Sequence, residues 1–179
     1  MFREIIWRII YGGGILFDLT KWLILILVVF LLVNNFLISI FLVDGLSMYP
    51  TLKNHDVILW SKIVYDKETP ERGDIVAVNY PGDLTKKYVK RIVGLPGDEI
   101  KVKSGKVFVN GTILNEEYLS NDIYTEPDGV WRLSDSQYFV MGDNRENSSD
   151  SRAFGPVESR FVLGKALYIV FPHISAISG

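Results

Sequence analysis

Residues 88–98 read Tyr-Val-Lys-Arg-Ile-Val-Gly-Leu-Pro-Gly-Asp, an apolar and β-branched run that ends in glycine and proline. Such a run with turn residues behind it is typical of a β-strand. Alternation along the strand puts Lys90 on the same face as Tyr88 and Ile92, so its ammonium group could be carried into an apolar environment. The side chain could also extend to solvent or pair with an acid, and the strand pattern alone leaves both open.

The chain after Gly45 repeats this pattern of short apolar runs separated by turn residues. Asn110-Gly111 is typical of a tight hairpin turn, and the polar stretch 116–128 indicates a loop. The pattern therefore predicts a mostly β domain. The predicted strands cover residues 56–60, 74–78, 88–93, 99–102, 106–109, 112–114, 137–141 and 163–171.

A long apolar segment precedes this domain. Residues 22–43 carry no charge, and Asn34, Asn35 and Ser39 are their polar exceptions. As a helix that rises about 1.5 Å per residue, the segment would reach about 33 Å, which is enough to cross a bilayer. It is longer than the apolar part of a cleaved secretory signal, so we predict one retained transmembrane helix over 22–43.

Basic residues are slightly more frequent before the apolar segment than after it. This excess predicts that residues 1–21 are cytoplasmic or interfacial and that residues 44–179 form an extracytoplasmic domain at the cell membrane, in contact with lipid. Residues 5–19 are also apolar, but Arg8 and a run of glycines favour an interfacial segment over a second span. The basic residues compared are Arg3, Arg8 and Lys21 before the segment and Lys53 and Lys62 shortly after it.

Charge and composition argue against a nucleic-acid partner, a disulfide bond and a thiolate metal site. The 179 residues include 19 basic and 21 acidic side chains, and the resulting net charge of -2 offers nucleic acid no attractive field. Without cysteine the chain forms neither a disulfide nor a thiolate metal site. The residues left after the apolar segment suffice for one compact domain.

A candidate nucleophile lies just after the apolar segment, in the sequence Gly-Leu-Ser-Met-Tyr-Pro-Thr-Leu at 45–52. Pro50 biases Tyr49 to extended geometry, and Gly45 permits close approach of backbone or substrate. Ser47 could therefore present its hydroxyl group for reaction. A serine near glycine and proline is also common in ordinary turns, so this segment alone leaves both readings open.

A serine nucleophile needs a base. His55 and His173 do not lie in a recognisable triad motif, which leaves Lys90 as the other candidate. To act near neutral pH, the lysine pKa would have to fall from about 10.4 to about 7, which corresponds to about 4 kcal/mol of differential desolvation. Burial on its own can supply that amount.

A polar loop follows the predicted strand 137–141. Residues 142–152 read Gly-Asp-Asn-Arg-Glu-Asn-Ser-Ser-Asp-Ser-Arg, a dense run of hydrogen-bonding and charged groups. Its acids could suggest a calcium site, but the loop lacks a glycine at the expected bend and carries two arginines. A salt-bridged turn that orders an active site is therefore favoured over a metal site.

Four motifs, in this order, resemble those of type I signal peptidases: 45–52, Gly-Asp-Ile-Val at 73–76, 88–98 and 142–152. The resemblance implies a β-rich catalytic core with a small β insertion, over residues 99–136, behind one N-terminal transmembrane helix. It also implies a membrane-bound serine endopeptidase of Gram-positive type. Such an enzyme removes signal peptides from secretory preproteins with A-x-A-like cleavage sites and needs no cofactor or metal.

The resemblance also implies roles for individual residues. Ser47 is the expected nucleophile and Lys90 the general base of a Ser-Lys dyad. Ser148 matches the serine that orients the lysine amine. Gly45 stands where some members have a serine that contributes to the oxyanion hole, so the backbone amide of Ser47 is the expected donor. Three further residues match positions that support the site: Asp143, Asp150 and Arg152.

Two other functions share part of this pattern. A Ser-Lys self-cleaving repressor protease has a similar core, but it needs a DNA-binding region and no membrane segment. A membrane-tethered β-domain that only binds a partner would use Ser47 and Lys90 as structural residues. Labelling of Ser47 by a serine-directed acylating inhibitor would distinguish such a binding module from an enzyme.

Overall fold

The computed structural model describes four parts of the chain: residues 14, 18–31, 38–120 and 123–177. They belong to two units, residues 1–38 and residues 39–179. In the first unit, residues 18–31 form helix α1, and most of the predicted segment 1–21 lies outside the described residues. No helix within the described residues is both long and apolar enough to cross a membrane.

The predicted transmembrane helix over 22–43 is wrong at its C-terminal end. Residues 22–31 are helical and residues 32–37 lie outside the described part, but strand β1 occupies Ile38–Leu42 and Val43 is buried in the core. Apolar content does not distinguish a strand in a sheet from a membrane helix, and the isoleucines of this stretch favour a strand. The folded domain therefore begins with β1 and not at residue 44.

The described residues form twelve strands and a few short helices. The strands are β1 (Ile38–Leu42), β2 (Val57–Ser61), β3 (Ile75–Tyr80), β4 (Asp83–Gly94), β5 (Glu99–Lys103), β6 (Lys106–Val109), β7 (Thr112–Ile113), β8 (Gly129–Arg132), β9 (Gln137–Met141), β10 (Val157–Glu158), β11 (Val162–Phe171) and β12 (Ser175–Ala176). Helix α2 covers Ser151–Phe154, and 3-10 turns cover Val64–Asp66, Arg145–Asn147 and Ser159–Phe161.

The mostly β fold predicted from the sequence is confirmed. Each predicted strand is present, and the predicted hairpin pairs Val109 with Thr112 across Asn110-Gly111. Strand β4 is longer than expected, because it begins at Asp83 in a hairpin with β3. Residues 83–87 were missed because all but Leu84 are polar and most are exposed.

The strands form two sheets. The larger sheet has the order β1-β2-β11-β3-β4-β9-β10, with β12 paired to β11, and the smaller has the order β7-β6-β5-β8. All strands of the smaller sheet lie within the predicted insertion 99–136. Buried apolar side chains from both sheets form one cluster that joins them: Val93, Ile100, Val102, Val107, Leu133, Phe139 and Met141.

Strand β4 is paired to different extents along its two sides. On one side β3 pairs with it from Asp83 to Arg91. On the other side β9 pairs with it only from Arg91 to Gly94. Within the described residues, the segment 84–90 therefore has one edge without a strand partner.

Replacing Phe139 with alanine should lower the free energy of unfolding by about 3–5 kcal/mol. Phe139 is 0% exposed within the cluster that joins the sheets, and its ring centre lies 4.9 Å from that of Trp131. Urea unfolding of the full chain in detergent would measure the loss. Phe171 is 61% exposed, so Phe171→Ala is the control and should cost less than about 1 kcal/mol. Equal losses in the two variants would contradict this account of the core.

Candidate active site

Ser47 lies in a loop that leaves β1 and returns to β2. Two backbone hydrogen bonds close the base of the loop: the Val43 N–H donates to the Asp56 carbonyl oxygen at 2.8 Å, and the His55 N–H donates to the Val43 carbonyl oxygen at 2.9 Å. These bonds bring the two ends of the loop together. The residues between them project as one compact turn that carries the Ser47 hydroxyl group.

Met48 and Leu52 anchor this turn to the protein core. Both side chains are buried, and the Leu52 N–H donates to the Met48 carbonyl oxygen at 2.9 Å, so they lie one helical turn apart. Burial of two such side chains contributes several kcal/mol and fixes the orientation of the residue beside them. Ser47 is consequently held half-buried next to the core.

Gly45 is required by its backbone conformation. Its φ of 108° lies in the left-handed region, which glycine enters without a steric penalty, and its N–H donates to Asn54 Oδ1 at 2.9 Å. A Cβ atom at this position would meet open space. The space next to Ser47 is therefore kept free of any side chain from this position.

Lys90 reaches Ser47 from strand β4. Its Nζ lies 2.6 Å from Ser47 Oγ and donates to the Val89 carbonyl oxygen at 3.1 Å. The lysine is only 3% exposed, and its Nζ lies 5.2 Å from the centre of the Tyr88 ring. Of the two orientations that the sequence left open, the structure therefore has the buried one.

The pKa of Lys90 is lowered to about 8, mainly because burial disfavours the ammonium form. The charges of Asp150 and Asp143 act in the opposite direction, and that of Arg152 acts in the same direction as burial. At a pKa of about 8, roughly a tenth of the lysine side chains are neutral at pH 7. A neutral amine within hydrogen-bond distance of a hydroxyl group can accept its proton.

Asp143 connects the strand of Lys90 to the turn of Ser47. Arg91 binds both carboxylate oxygens of Asp143, from Nε at 2.9 Å and from Nη2 at 2.8 Å. Thr51, from the Ser47 turn, donates its hydroxyl to Asp143 Oδ2 at 2.6 Å. Because Arg91 follows Lys90 in β4, this one carboxylate fixes both elements relative to each other.

Asp150 and Arg152 form a second buried ion pair. Arg152 donates from Nε to Asp150 Oδ1 at 2.8 Å and from Nη2 to Oδ2 at 2.7 Å, and the Gly142 N–H donates to Oδ2 at 3.0 Å. Burial opposes ionisation of Asp150, but these hydrogen bonds and the charge of Arg152 hold its pKa below the usual value. Asp150 is therefore a carboxylate, and it also caps α2.

The loop 142–152 supports the Ser47 turn directly. The Asn144 N–H donates to the Ser47 carbonyl oxygen at 3.0 Å, and Asn144 Nδ2 donates to the Leu46 carbonyl oxygen at 3.1 Å. Gly142 passes so close that a Cβ atom there would collide with the Ser47 carbonyl oxygen and the Ser148 hydroxyl. These contacts hold the turn against the loop.

In the part of the chain that the structure describes, no hydrogen bond joins Ser148 to Lys90. The Ser148 hydroxyl oxygen is buried beside Gly142, and its interaction with Asp150 helps to lower the pKa of that carboxylate. The role of Ser148 in orienting the lysine stays a prediction. His55 and His173 are exposed, and His55 Nε2 lies 3.2 Å from the side-chain nitrogen of Asn54.

Several residues of the site were not found from the sequence: Arg91, Thr51, Asn144 and Arg145. The sequence contains a signal for Arg91, because a charged residue next to Lys90 in a largely apolar strand requires a buried partner on the opposite face of the sheet. Thr51 and Asn144 act through local loop geometry, which residue type alone does not indicate. No three His, Asp or Glu side chains in the described parts are grouped so that they could hold a metal ion.

Two hollows meet at Ser47 and Lys90. The first, here called the apolar groove, has a volume of about 470 Å³ and is lined by the apolar side chains of Phe41, Val43, Met48 and Val89 and by Thr85, Lys86 and Lys87. The second, here called the polar hollow, has a volume of about 440 Å³ and is lined by Gly45, Leu46, Asn147 and Ser149. Asp44, Ser47, Tyr88 and Lys90 line both.

Comparison with known proteins finds one family over most of the chain. The sequence model described as signal peptidase, peptidase S26, matches residues 16–171. Signal peptidase I S of Bacillus subtilis (strain 168) is 37% identical over 163 residues, which cover 85% of this chain and 87% of that protein. Signal peptidase I P of Bacillus subtilis subsp. natto is 39% identical over 165 residues, which cover 87% of this chain and 89% of that protein.

A solved structure is also similar. It is that of a signal peptidase I from Enterococcus faecalis V583, which is 31% identical and matches 55% of this chain and 97% of its own chain with a TM-score of 0.49.

The rate of cleavage should rise with pH through about 8, because only the neutral Lys90 amine can accept the Ser47 proton. Measurement of kcat/KM from pH 5 to about 10 would locate the pH range in which the rate rises, here called the rising limb of the pH profile. His55→Ala and His173→Ala should leave its position unchanged. A histidine base would instead give a limb near pH ~6.5. Loss of the limb in either histidine variant would rule out Lys90 as the base.

Proposed function

This chain belongs to the signal peptidase family S26 and is a serine peptidase that removes signal peptides, and we propose that Ser47 and Lys90 perform the cleavage as a dyad. The observation that carries this proposal is the distance of 2.6 Å between Lys90 Nζ and Ser47 Oγ, with the lysine buried. A geometry of this kind is what a serine nucleophile needs from its base.

The proposed reaction has two steps. The neutral Lys90 amine takes the Ser47 proton while Oγ attacks the scissile carbonyl carbon, and the resulting ammonium gives that proton to the leaving amine. The leaving amine departs as the N-terminus of the mature protein. Lys90 then takes a proton from a water molecule that attacks the ester carbonyl carbon, and it gives this proton to Ser47 Oγ as the ester C–O bond breaks, which releases the signal peptide and regenerates both residues.

The Ser47 backbone N–H is proposed as a donor to the oxyanion. Within the described residues no hydrogen bond occupies this N–H, whereas that of Gly45 is bound by Asn54 Oδ1. Gly45 contributes no side chain at this point and so leaves room for the substrate carbonyl oxygen. A backbone donor fixed by the anchored turn is preorganised for the developing charge.

The free edge of β4 supports binding of an extended substrate. The edge of 84–90 has no strand partner among the described residues and borders the apolar groove, so a peptide strand can add to it. In an extended peptide alternate side chains point the same way, so the residues one and three before the cut would enter the groove. We propose that the groove accepts small residues there, as in secretory preproteins with an A-x-A-like site.

The apolar sequence before β1 is proposed to tether the enzyme to the cell membrane, with the N-terminus in the cytoplasm and the β domain on the extracytoplasmic face. The large apolar side chains of α1 support this, because Trp22, Leu23 and Ile24 are exposed. The basic residues before this segment support the orientation. A tethered domain that only binds a partner would explain neither the buried lysine nor its contact with Ser47.

Incubation of the detergent-solubilised protein with a preprotein, followed by N-terminal sequencing of the product, tests the function. The mature N-terminus should follow an A-x-A-like site. A substrate with alanine immediately before the cut should be processed, whereas phenylalanine at that position should lower kcat/KM by about 100-fold or more, since a bulky ring would clash with the groove. Equal cleavage of the two substrates would contradict the proposed specificity.

Single and double variants of the dyad test the assigned roles. Ser47→Ala and Lys90→Ala should each lower kcat by about 100-fold or more, and the double variant should be little worse than either, because the two residues act as one unit. Covalent labelling by a serine-directed acylating inhibitor should disappear in Ser47→Ala. If the losses added instead, or if Lys90→Ala kept more than about a tenth of the rate, Lys90 would not be the base.

A further inference from the structure

The loop that follows β7 lies against the residues that hold the site together. The guanidinium carbon of Arg91 lies 3.9 Å from the centre of the Tyr118 ring. The Tyr118 hydroxyl donates to Glu116 Oε1 at 2.8 Å. Stacking of this kind restrains a guanidinium group laterally while its edge remains free for hydrogen bonds. Arg91 uses that edge to bind Asp143.

Glu116 binds a second arginine. Arg145 has a side chain that is 0% exposed, and it donates from Nη1 to Glu116 Oε2 at 3.1 Å and from Nε to the Gly142 carbonyl oxygen at 3.0 Å. Burial disfavours the charged guanidinium, but the hydrogen bond and charge of Glu116 outweigh it and raise the pKa of Arg145. Glu116 is the carboxylate paired with Arg145 in the described part of the chain.

The two arginines act on adjacent residues. Arg91 fixes Asp143, which also holds the Ser47 turn through Thr51, and Arg145 fixes Gly142, which packs on the Ser47 carbonyl oxygen. Both arginines belong to the core, whereas Glu116 and Tyr118 belong to the insertion 99–136. Through these contacts the insertion reaches the Ser47 turn indirectly, by way of the arginines that bind Asp143 and Gly142.

We propose that Glu116 and Tyr118 are positioning residues of the cleavage reaction: they restrain Arg145 and Arg91 and thereby fix the distance between Lys90 and Ser47. The proposal rests on the dyad proposed above. Neither residue lines the apolar groove or the polar hollow, so their loss should lower kcat and leave KM nearly unchanged. A misplacement of about 1 Å at reacting groups can cost about 100-fold in rate, so small shifts of the arginines suffice.

Four variants of the full chain in detergent test the proposal. Glu116→Gln removes the charge that pairs with Arg145, and Tyr118→Leu removes the ring beneath Arg91. Tyr118→Phe keeps the ring and loses only the hydroxyl. Glu117→Gln is the matched control, because Glu117 is exposed and, among the described residues, its side chain accepts a hydrogen bond from Asn115 alone.

Turnover is measured per active site, titrated with a serine-directed acylating inhibitor, so that unfolded protein does not count. We expect Glu116→Gln and Tyr118→Leu to lower kcat about tenfold or more, with KM within about twofold of wild type. Tyr118→Phe should recover most of the rate lost in Tyr118→Leu, and Glu117→Gln should match wild type. The rising limb of the pH profile should lie at the same pH in every variant, because Glu116 and Tyr118 act on the distance between Lys90 and Ser47.

Three results would overturn the proposal: a normal kcat per titrated site in Glu116→Gln and Tyr118→Leu, a loss confined to KM, or equal losses in Tyr118→Phe and Tyr118→Leu. If Glu116→Gln does not fold, Glu116→Asp replaces it, since it keeps the charge and shortens the reach to Arg145. A normal kcat in Glu116→Asp and Tyr118→Leu would then reject the proposal.

The failure of the proposed function would look different. If the wild-type protein cleaves no preprotein, the assigned activity fails, and the rate at which the inhibitor acylates Ser47 becomes the readout for the variants. Slower acylation in Glu116→Gln and Tyr118→Leu than in Glu117→Gln would still support the positioning role. Equal acylation rates in all of them would reject it.

Discussion

The buried ion pair between Arg91 and Asp143 is the interaction on which the site depends. Asp143 accepts two hydrogen bonds from Arg91 and one from Thr51, so one side chain joins strand β4 to the Ser47 turn. Buried pairs of this kind add little stability compared with apolar side chains, but removal of one partner leaves an uncompensated charge and costs about 3–5 kcal/mol. What the pair contributes is therefore a unique arrangement of two elements that are distant in the sequence.

The same pairing controls the charge around Lys90. Asp143 and Asp150 each favour the ammonium form, but each is bound by an arginine, Arg91 or Arg152. Since the carboxylates are largely compensated, desolvation is the dominant influence on the lysine and lowers its pKa. Unpaired carboxylates at the same positions would hold the lysine protonated, and a protonated lysine could not serve as a base. The arginines thus allow acidic residues near Lys90 without loss of the neutral amine.

The sequence predicts some parts of this arrangement and not others. Alternation in 88–93 gives the strand and the face of Lys90, because strand periodicity is a local property. The site residues of the 142–152 loop follow from the family resemblance, but their partners do not, since Thr51, Tyr118 and Glu116 meet this region only through the fold. The end of the predicted membrane helix was wrong because residues 38–42 are as apolar as the residues before them. Only pairing with β2 makes them a strand.

The position of Lys90 in β4 explains how its side chain can be buried from water and still be accessible to substrate. The pairing of β9 with β4 starts at Arg91, and Ile92 and Val93, just after it, lie in a buried part of the sheet. Before Lys90 the strand has a free edge beside the apolar groove. Residues 91–94, which pair with β9, supply the burial that lowers the pKa of Lys90. Residues 84–90, which have one edge without a strand partner, supply the place for an extended peptide. A lysine placed two residues later, at the position of Ile92, would be buried without access to substrate, and one placed four residues earlier is exposed to solvent, as Lys86 is.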